Sequence, residues 1–196
     1  MIHAILSESP EYSESRSEMR KFHIGDKIEM RPFKRKDAAD VLAGVKENYE
    51  HLRPFLHWVT PDYSMTSARQ FIEQTRKGFA ANSSHTYGIF SDGTLAGAIG
   101  FVSFNWPSKQ GEIGYWLAKD FEGKGIITQA CKLLLQYAFN DLNLNRLEIR
   151  CAAENNRSRA IPERLGFTLE GILRQSVWRH DRFYDMAIYG MLNSSQ

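Results

Sequence analysis

The residues with the clearest chemical potential lie between positions 112 and 128, where a glycine-punctuated loop separates an apolar strand pattern from a long helix pattern. Gly123 and Gly125 let the backbone turn sharply and present amide hydrogens to a ligand. The start of the following helix adds unpaired N–H groups and a partial positive charge. The segment therefore predicts an anion-binding mouth suited to a phosphate or pyrophosphate, with a plain strand–turn–helix joint as the alternative.

Two widespread nucleotide-binding motifs do not fit the spacing of this loop. A Walker loop needs a glycine separated by four residues from the Gly123-Lys124 pair, followed by Ser or Thr, but position 118 is alanine and position 125 is glycine. A dinucleotide-binding fingerprint needs glycine where Thr128 stands. The spacing excludes both motifs.

Hydrophobic periodicity places this loop in a chain that alternates strand and helix patterns. The order is one strand, three helices, three strands, a helix, a strand, a helix and two strands. Strands are predicted at 27–32, 85–90, 94–105, 111–117, 146–153, 167–178 and 183–191, and helices at 38–45, 49–58, 66–79, 126–142 and 158–165. Asp37 is expected to cap the first helix. The pattern predicts an α/β (α+β) fold, a mixed sheet with helices on its faces.

Length and composition bound the remaining choices. A chain of 196 residues fits one domain, here residues 21–196, preceded by a serine- and glutamate-rich N-terminal extension over residues 1–20 that is expected to be mobile. A formal net charge of +2 is too balanced for a dedicated nucleic-acid binder, and the chain has no apolar run of about 18 residues that would predict a membrane span. Cys131 and Cys151 lack the spacing of a metal or redox pair. These features predict a cytoplasmic protein without a metal.

The strand–loop–helix segment resembles the coenzyme A site of the GNAT superfamily of N-acetyltransferases, with its pattern Q/R-x-x-G-x-G/A. Gly123 and Gly125 match the two glycines, whereas Asp120 stands where Gln or Arg is usual. The amino-acid sequence of residues 113–131 resembles the RimJ/RimL branch of this superfamily, the ribosomal-protein N-terminal acetyltransferases, more closely still. Segments 28–42, 48–58 and 155–167 resemble that branch in the same order, so the resemblance covers roughly residues 22–192.

The resemblance implies a twisted, mostly antiparallel sheet of about seven strands that splays apart around acetyl-CoA, the cosubstrate. Backbone N–H groups of the loop would hold its pyrophosphate, the edge of the strand at 114–117 would pair with its pantetheine, and an N–H near Leu117 would polarise the thioester carbonyl. The residues implied at this cosubstrate are Tyr115, Trp116, Leu117, Phe121, Glu122, Gly123, Lys124, Gly125, Ile126, Asn155 and Ser158.

The same resemblance implies catalytic roles for Glu112 and Ser158. Glu112 is the candidate general base, acting through water, and the alternative is a solvated carboxylate at a strand end. Ser158 is the candidate acid for the departing thiolate, and the alternative is a helix cap. The tyrosine that many relatives carry seven residues after the motif asparagine is absent, because Asn155 is followed at that distance by Pro162. Candidate walls of the acceptor pocket are Tyr49, Phe55, Trp58 and Tyr115, each of which could equally be a core residue.

The leading functional hypothesis is an N-acetyltransferase acting on the N-terminal α-amine of a protein, with ribosomal proteins as the favoured class. An α-amine with a pKa of about 8 needs less help from a base than a lysine with a pKa near 10.4. A small-amine acceptor (a polyamine, an antibiotic or a toxin) and a non-catalytic CoA-binding module are the alternatives. An acidic pocket would favour a polycation, whereas a neutral cleft would favour a peptide end. The sequence leaves the oligomeric state open, a homodimer included.

Overall fold

The structure is a computed structural model that describes residues 20–194. The predicted N-terminal extension therefore lies outside the described residues, except for its last member. Arg20 donates a hydrogen bond of 2.6 Å to Asp141 and lies over the ring of Tyr137, so this residue contacts the folded domain.

A single eight-stranded sheet runs through the domain in the order β1-β2-β3-β4-β5-β6-β8-β7. Among the strands of residues 20–194, only the β5–β6 pair is parallel, which confirms the predicted mixed, mostly antiparallel sheet. The count exceeds the predicted seven because β1 has three residues, too few to show a period. The strands are β1 (Phe22–Ile24), β2 (Ile28–Pro32), β3 (His85–Ser91), β4 (Thr94–Asn105), β5 (Gln110–Leu117), β6 (Arg146–Ala152), β7 (Thr168–Arg179) and β8 (Arg182–Leu192).

Helices cover both faces of the sheet, as predicted. One apolar core lies between the sheet and α4, and a second lies between the sheet and the pair α1 and α3. Within residues 20–194, no helix is long and apolar enough to cross a membrane. The helices are α1 (Ala38–Glu47), α2 (Tyr49–Leu52), α3 (Met65–Ala80), α4 (Ile126–Gln136) and α5 (Asn156–Leu165).

Three local predictions differ from the structure. The helix expected over 49–58 ends at Leu52, and Pro54 has no N–H to continue it. The helix expected over 126–142 is α-helical to Gln136 and then widens into a π turn, in which the Leu142 N–H donates to the Tyr137 carbonyl. Asp37 occupies the N-cap position of α1, but its side chain makes no capping bond to the helix, because its buried carboxylate accepts from the Arg31 side chain and the Lys34 N–H, each at 2.7 Å.

The sheet opens between its two parallel strands. β5 and β6 are paired only from Gln110 to Ile113 and from Arg146 to Ile149. Beyond this point, Gly114–Leu117 pairs with β4 alone, and the end of β6 pairs with β8 alone. The divergence confirms the predicted splay and leaves one edge of β5 without a neighbouring strand.

Candidate functional site

A large cavity of about 1280 Å³ lies at the open end of the splay. Its walls come from α2, from the end of β5, from the loop and first turns of α4, and from the start of α5. These elements are adjacent in space because α5 packs against both α4 and β6. The large cavity therefore forms where the sheet stops being continuous.

Two glycines shape the loop at one end of the large cavity. Gly123 and Gly125 have φ angles of 73° and 72°, in the left-handed region that favours glycine. A Cβ on Gly123 would meet nothing within 4 Å, so the backbone conformation, rather than space, requires glycine there. The first hydrogen bond of α4 runs from the Gln129 N–H to the Gly125 carbonyl. The N–H groups of Ile126, Ile127 and Thr128 precede it and are available to an anion.

Cationic side chains surround the same end of the large cavity. Glu122 contacts Arg157 at 2.8 Å and His51 at 3.3 Å, so its charge is compensated locally. Arg164 donates to the Thr128 hydroxyl at 2.9 Å and lines the cavity. Neither Arg157 nor Arg164 was predicted at the site, although both fall inside the 155–167 segment. The mouth of the large cavity thus combines backbone donors with two arginines.

The open edge of β5 supplies further backbone donors and acceptors. The Ala118 N–H donates to the Ala96 carbonyl at 2.8 Å, on the β4 side. Successive residues of a strand direct their N–H groups to opposite edges, so the Leu117 N–H points away from β4, toward the splay. The same alternation directs the Tyr115 N–H and carbonyl to that side.

A small cavity of about 280 Å³ lies on the face of the sheet that carries α1 and α3. It continues into the large cavity, because six residues line both: Phe55, Leu56, Tyr115, Trp116, Asn155 and Ser158. The two cavities meet at the splay, where a group held in one can reach a group held in the other.

Aromatic rings form much of the wall of the small cavity. Trp58 stacks on Phe71 with ring centroids 6.1 Å apart and meets Trp116 edge-on at 6.4 Å. Phe55 lines both cavities. Tyr49, expected in this wall, lines neither cavity and packs against the core of α1 and α3 instead. Tyr49 belongs to α2, and the small cavity is reached by the turn that follows α2 instead.

The charged residues that line the small cavity are both arginines, Arg150 and Arg179, with no Asp or Glu in this lining within residues 20–194. Arg150 donates to Glu148 at 2.7 and 2.9 Å. Arg179 donates through Nη1 to the Phe55 carbonyl at 2.5 Å, which ties the end of β7 to the turn after α2. The charged side chains in this lining are therefore positive, and Arg150 is balanced by Glu148.

Glu112 lies beside the small cavity but does not line it. Its carboxylate is 3.8 Å from Arg150, and its side chain is 32% exposed. Burial raises the pKa of Glu112, Arg150 opposes this shift, and the nearby Glu148 adds to it. A carboxylate with a raised pKa is a stronger base than a solvated one.

Ser158 occupies the junction of the two cavities. Its Oγ donates to the Tyr115 hydroxyl at 3.3 Å, and burial raises the pKa of Cys151 while Ser158 lowers it. Burial raises the pKa of Tyr115, whose hydroxyl donates to the Ser158 carbonyl at 3.0 Å. The cap expected at Ser158 belongs to Asn155, whose Oδ1 accepts the Ser158 N–H at 3.1 Å. The Ser158 hydroxyl is thus not engaged in capping.

Residues 27–168 match the family model described as an acetyltransferase (GNAT) domain, which spans more than half of the chain. The chain belongs to the GNAT acetyltransferase family. Its resemblance to the RimJ/RimL branch is supported by curated relatives whose names place them among ribosomal-protein acetyltransferases.

YdaF of Bacillus subtilis (strain 168), provisionally named a ribosomal N-acetyltransferase, is 36% identical over 86% of this chain and 93% of its own length. The ribosomal-protein-serine acetyltransferase of Escherichia coli (strain K12) is 32% identical over 79% of this chain and 93% of its own. Spermidine N(1)-acetyltransferase of the same strain is 28% identical over 74% of this chain and 75% of its own.

A solved GNAT structure with a related fold contains ligands. The microcin C7 self-immunity acetyltransferase MccE, in complex with acetyl-CoA and AMP, superposes with a TM-score of 0.81 at 28% identity and covers 86% of this chain and 93% of its own. Of the eleven residues that the resemblance implies at the cosubstrate, ten line the large cavity of this GNAT domain. The exception is Lys124, which is exposed and places its ammonium 5.2 Å from the centre of the Phe121 ring.

Proposed function

We propose that this GNAT protein transfers the acetyl group of acetyl-CoA to the N-terminal α-amine of a protein in the cytoplasm, with ribosomal proteins as the first class to test. The small cavity is the observation that carries the choice of acceptor. It joins the large cavity at the splay, and the charged residues in its lining are Arg150 and Arg179. A polycation would be repelled there, whereas a peptide end presents one amine to the splay.

The large cavity fits acetyl-CoA by its chemistry. A pyrophosphate at the start of α4 would meet the N–H groups of the Gly123–Gly125 loop and of the first helical turn, and Arg157 and Arg164 add positive charge there. The open edge of β5 offers the strand-like partners that an extended chain with two amides requires. Acetyl-CoA bound there supplies an acetyl group activated as a thioester.

The open edge of β5 also places a donor where negative charge develops during acyl transfer. The Leu117 N–H points into the splay and is fixed by the β4 pairing on either side of it. A preorganised N–H at such a position stabilises a developing oxyanion. We assign this role to the Leu117 N–H.

Glu112 is the proposed general base for the amine. An α-amine is within about one pKa unit of neutrality at pH 7, so a weakly basic carboxylate that acts through water suffices. Burial raises the pKa of Glu112 and thereby increases its basicity, while Arg150 stands between it and the small cavity. A water molecule held between Glu112 and the amine would carry the proton.

Ser158 is the proposed acid for the leaving thiolate. Its hydroxyl stands at the junction of the two cavities and shares its hydrogen bond with Tyr115. Protonation of the thiolate by Ser158 would leave the serine oxygen next to the Tyr115 hydroxyl, which can redirect its proton toward it. We therefore treat the two hydroxyls as one functional pair.

The test is intact-mass detection of acetylation across a panel of acceptors. The panel contains peptides that begin with Ser, Ala or Met, lysine peptides with blocked N-termini, and spermidine, whose named acetyltransferase is a relative of this chain. We expect acetylation of free peptide N-termini. Acetylation restricted to lysine side chains or to spermidine would overturn the assigned acceptor, and acetyl-CoA binding without any product would indicate a non-catalytic module.

A further inference from the structure

We infer that Arg179 binds a carboxylate of the acceptor, so that the enzyme prefers peptides with an acidic side chain among their first three residues. The inference rests on the proposed function and adds a substrate preference to it. It follows from one property of the small cavity: two of its lining residues carry buried donors without acceptors.

Arg179 is a cation held away from any carboxylate. Its Nη1 donates to the Phe55 carbonyl, but its Nε is buried without a hydrogen-bond partner among residues 20–194. Burial lowers the pKa of Arg179, and the only opposing contribution comes from the Tyr184 hydroxyl. The guanidinium is therefore partly buried over the Tyr184 ring, 5.9 Å from its centre, and contacts no carboxylate among residues 20–194.

Two arginines close to Arg179 contact carboxylates. Arg150, in the same cavity lining, contacts Glu148, and Arg182, three residues from Arg179, contacts Glu154 at 2.5 Å. A partly buried charge without a carboxylate partner is costly, so its position in a cavity wall points to a ligand that supplies the missing partner.

A second orphan donor lies in the same cavity wall. Trp116 lines the small cavity, and its buried Nε1 also lacks a partner within the described residues. Arg179 offers only donors, so the group that pairs with it is an acceptor of hydrogen bonds. A carboxylate offers two acceptor oxygens, and it matches the planar fork of a guanidinium better than a neutral carbonyl does.

The small cavity sets the size of the group that reaches Arg179. Its volume of about 280 Å³ suits one or two side chains, not an extended polyanion. An amine at the splay and a carboxylate at Arg179 thus fit an acceptor that carries both groups close together. The start of a peptide with Asp or Glu fits this description, and so does a free amino acid.

The test compares peptides in which Asp is placed at position 1, 2 or 3 with peptides that carry Asn at the same position. For at least one position we expect kcat/KM to be about tenfold higher for the Asp peptide, mainly through KM, since charge-assisted hydrogen bonds are stronger than those of a neutral amide. R179Q should remove the preference, R179K should retain part of it, and R179E should shift it toward Lys peptides.

R182Q is the matched control, because it removes a charge from the same hairpin outside both cavities. It should leave the Asp-to-Asn ratio unchanged. The KM for acetyl-CoA and the Tm of R179Q report on a merely structural role of Arg179. Loss of the Phe55 contact alone would reduce kcat/KM equally for all peptides.

Three outcomes contradict the inference in different ways. Equal kcat/KM for Asp and Asn peptides at all three positions overturns it and leaves the proposed function intact. If the preference for Asp peptides survives R179Q, other residues cause it, and the inference is also overturned. Acetylation of free glutamate in place of every peptide would support the carboxylate at Arg179 but overturn the peptide as its source, together with the proposed acceptor.

Discussion

The two cavities that meet at the splay are built by different means. The mouth of the large cavity is mainly backbone: a glycine loop, the first turn of α4 and an unpaired strand edge. The small cavity is mainly side chain, and its lining comes from the turn after α2, from α3, from the start of α5, and from six different strands. A backbone site binds the chemical features common to one cosubstrate, whereas a side-chain site can be altered residue by residue to suit different acceptors.

Electrostatics divide the cavities as well. At the large cavity, acidic residues such as Glu122 are matched by Arg157, and the surplus positive charge lies at the helix start. At the small cavity, one of the two arginines is paired with a carboxylate. Arg150 contacts Glu148, whereas no carboxylate of residues 20–194 contacts Arg179. Substitutions on the two sides should therefore change different kinetic constants, and each experiment below tests this separation.

The largest effect is expected from E112Q, on the acceptor side. Loss of a general base lowers rates by about 10²–10⁴-fold, so we expect kcat/KM for a peptide N-terminus to fall about 100-fold at pH 7. The acidic limb of the pH–rate profile should also disappear. In the unaltered protein that limb lies above the ordinary carboxyl range, because burial raises the pKa of Glu112 and the base acts only when ionised.

Stability separates this chemical role from a structural one. A carboxyl whose pKa is raised on folding contributes stability at low pH that is lost as the pH rises through the raised value. E112Q should consequently be at least as stable as the unaltered protein at pH 7 to 8, by thermal unfolding. E170Q, which breaks an exposed ion pair with Arg146 away from both cavities, is the control and should retain full activity. An unchanged profile in E112Q would remove Glu112 from the base role.

The next effect is expected at the junction of the cavities. S158A should lower kcat by about 10–100-fold if the hydroxyl protonates the thiolate, with little change in the KM for acetyl-CoA. Y115F should produce a smaller loss, because Tyr115 acts through Ser158. The double variant tests the pairing: the two losses should not add, since both remove one hydrogen-bonded unit. Strict additivity would show that the hydroxyls act separately.

The mouth of the large cavity could be predicted from the sequence because the elements that form it are contiguous. The strand, the loop at Gly123 and Gly125, and the helix start follow one another within residues 112–128, and local backbone conformation is encoded locally. The eight-strand count and the π turn were missed, since a three-residue strand and a one-turn widening leave no periodic signal.

The small cavity was predicted only in part, for the opposite reason. Arg150 and Arg179 lie on different strands. The alternation of polar and apolar residues along a strand is the same whether an arginine faces solvent or a cavity, so the sequence does not distinguish the two. Tyr49, a candidate for the wall, lies on α2, and α2 ends at Leu52, just before Pro54, so that only the following turn reaches the small cavity. The cap at Asn155 rather than Ser158 depends on where α5 starts, and helix ends are poorly defined by sequence.

A smaller effect is expected from G125A, on the donor side. An L-residue in the left-handed region costs about 1–2 kcal/mol, so the KM for acetyl-CoA should rise about tenfold while the ratio among peptide acceptors stays constant. G25A is a matched control. Gly25 also has a positive φ, of 57°, and an added Cβ would meet nothing within 4 Å, but Gly25 lies in the turn between β1 and β2. It should lower stability alone. A changed acceptor ratio in G125A would contradict the separation of the two cavities.

The smallest effect distinguishes two cations at the mouth of the large cavity. The sequence pointed to Lys124, but Lys124 is solvent-exposed and lies outside the lining, whereas Arg164 lines the cavity and is oriented by Thr128. Exposed charge contacts contribute about 0.2–1 kcal/mol, so R164Q should raise the KM for acetyl-CoA up to about fivefold and K124A less than about twofold. Both effects should shrink in 0.5 M salt, because screening weakens exposed contacts. The reverse order would mean that the loop closes over the cosubstrate and brings Lys124 inside.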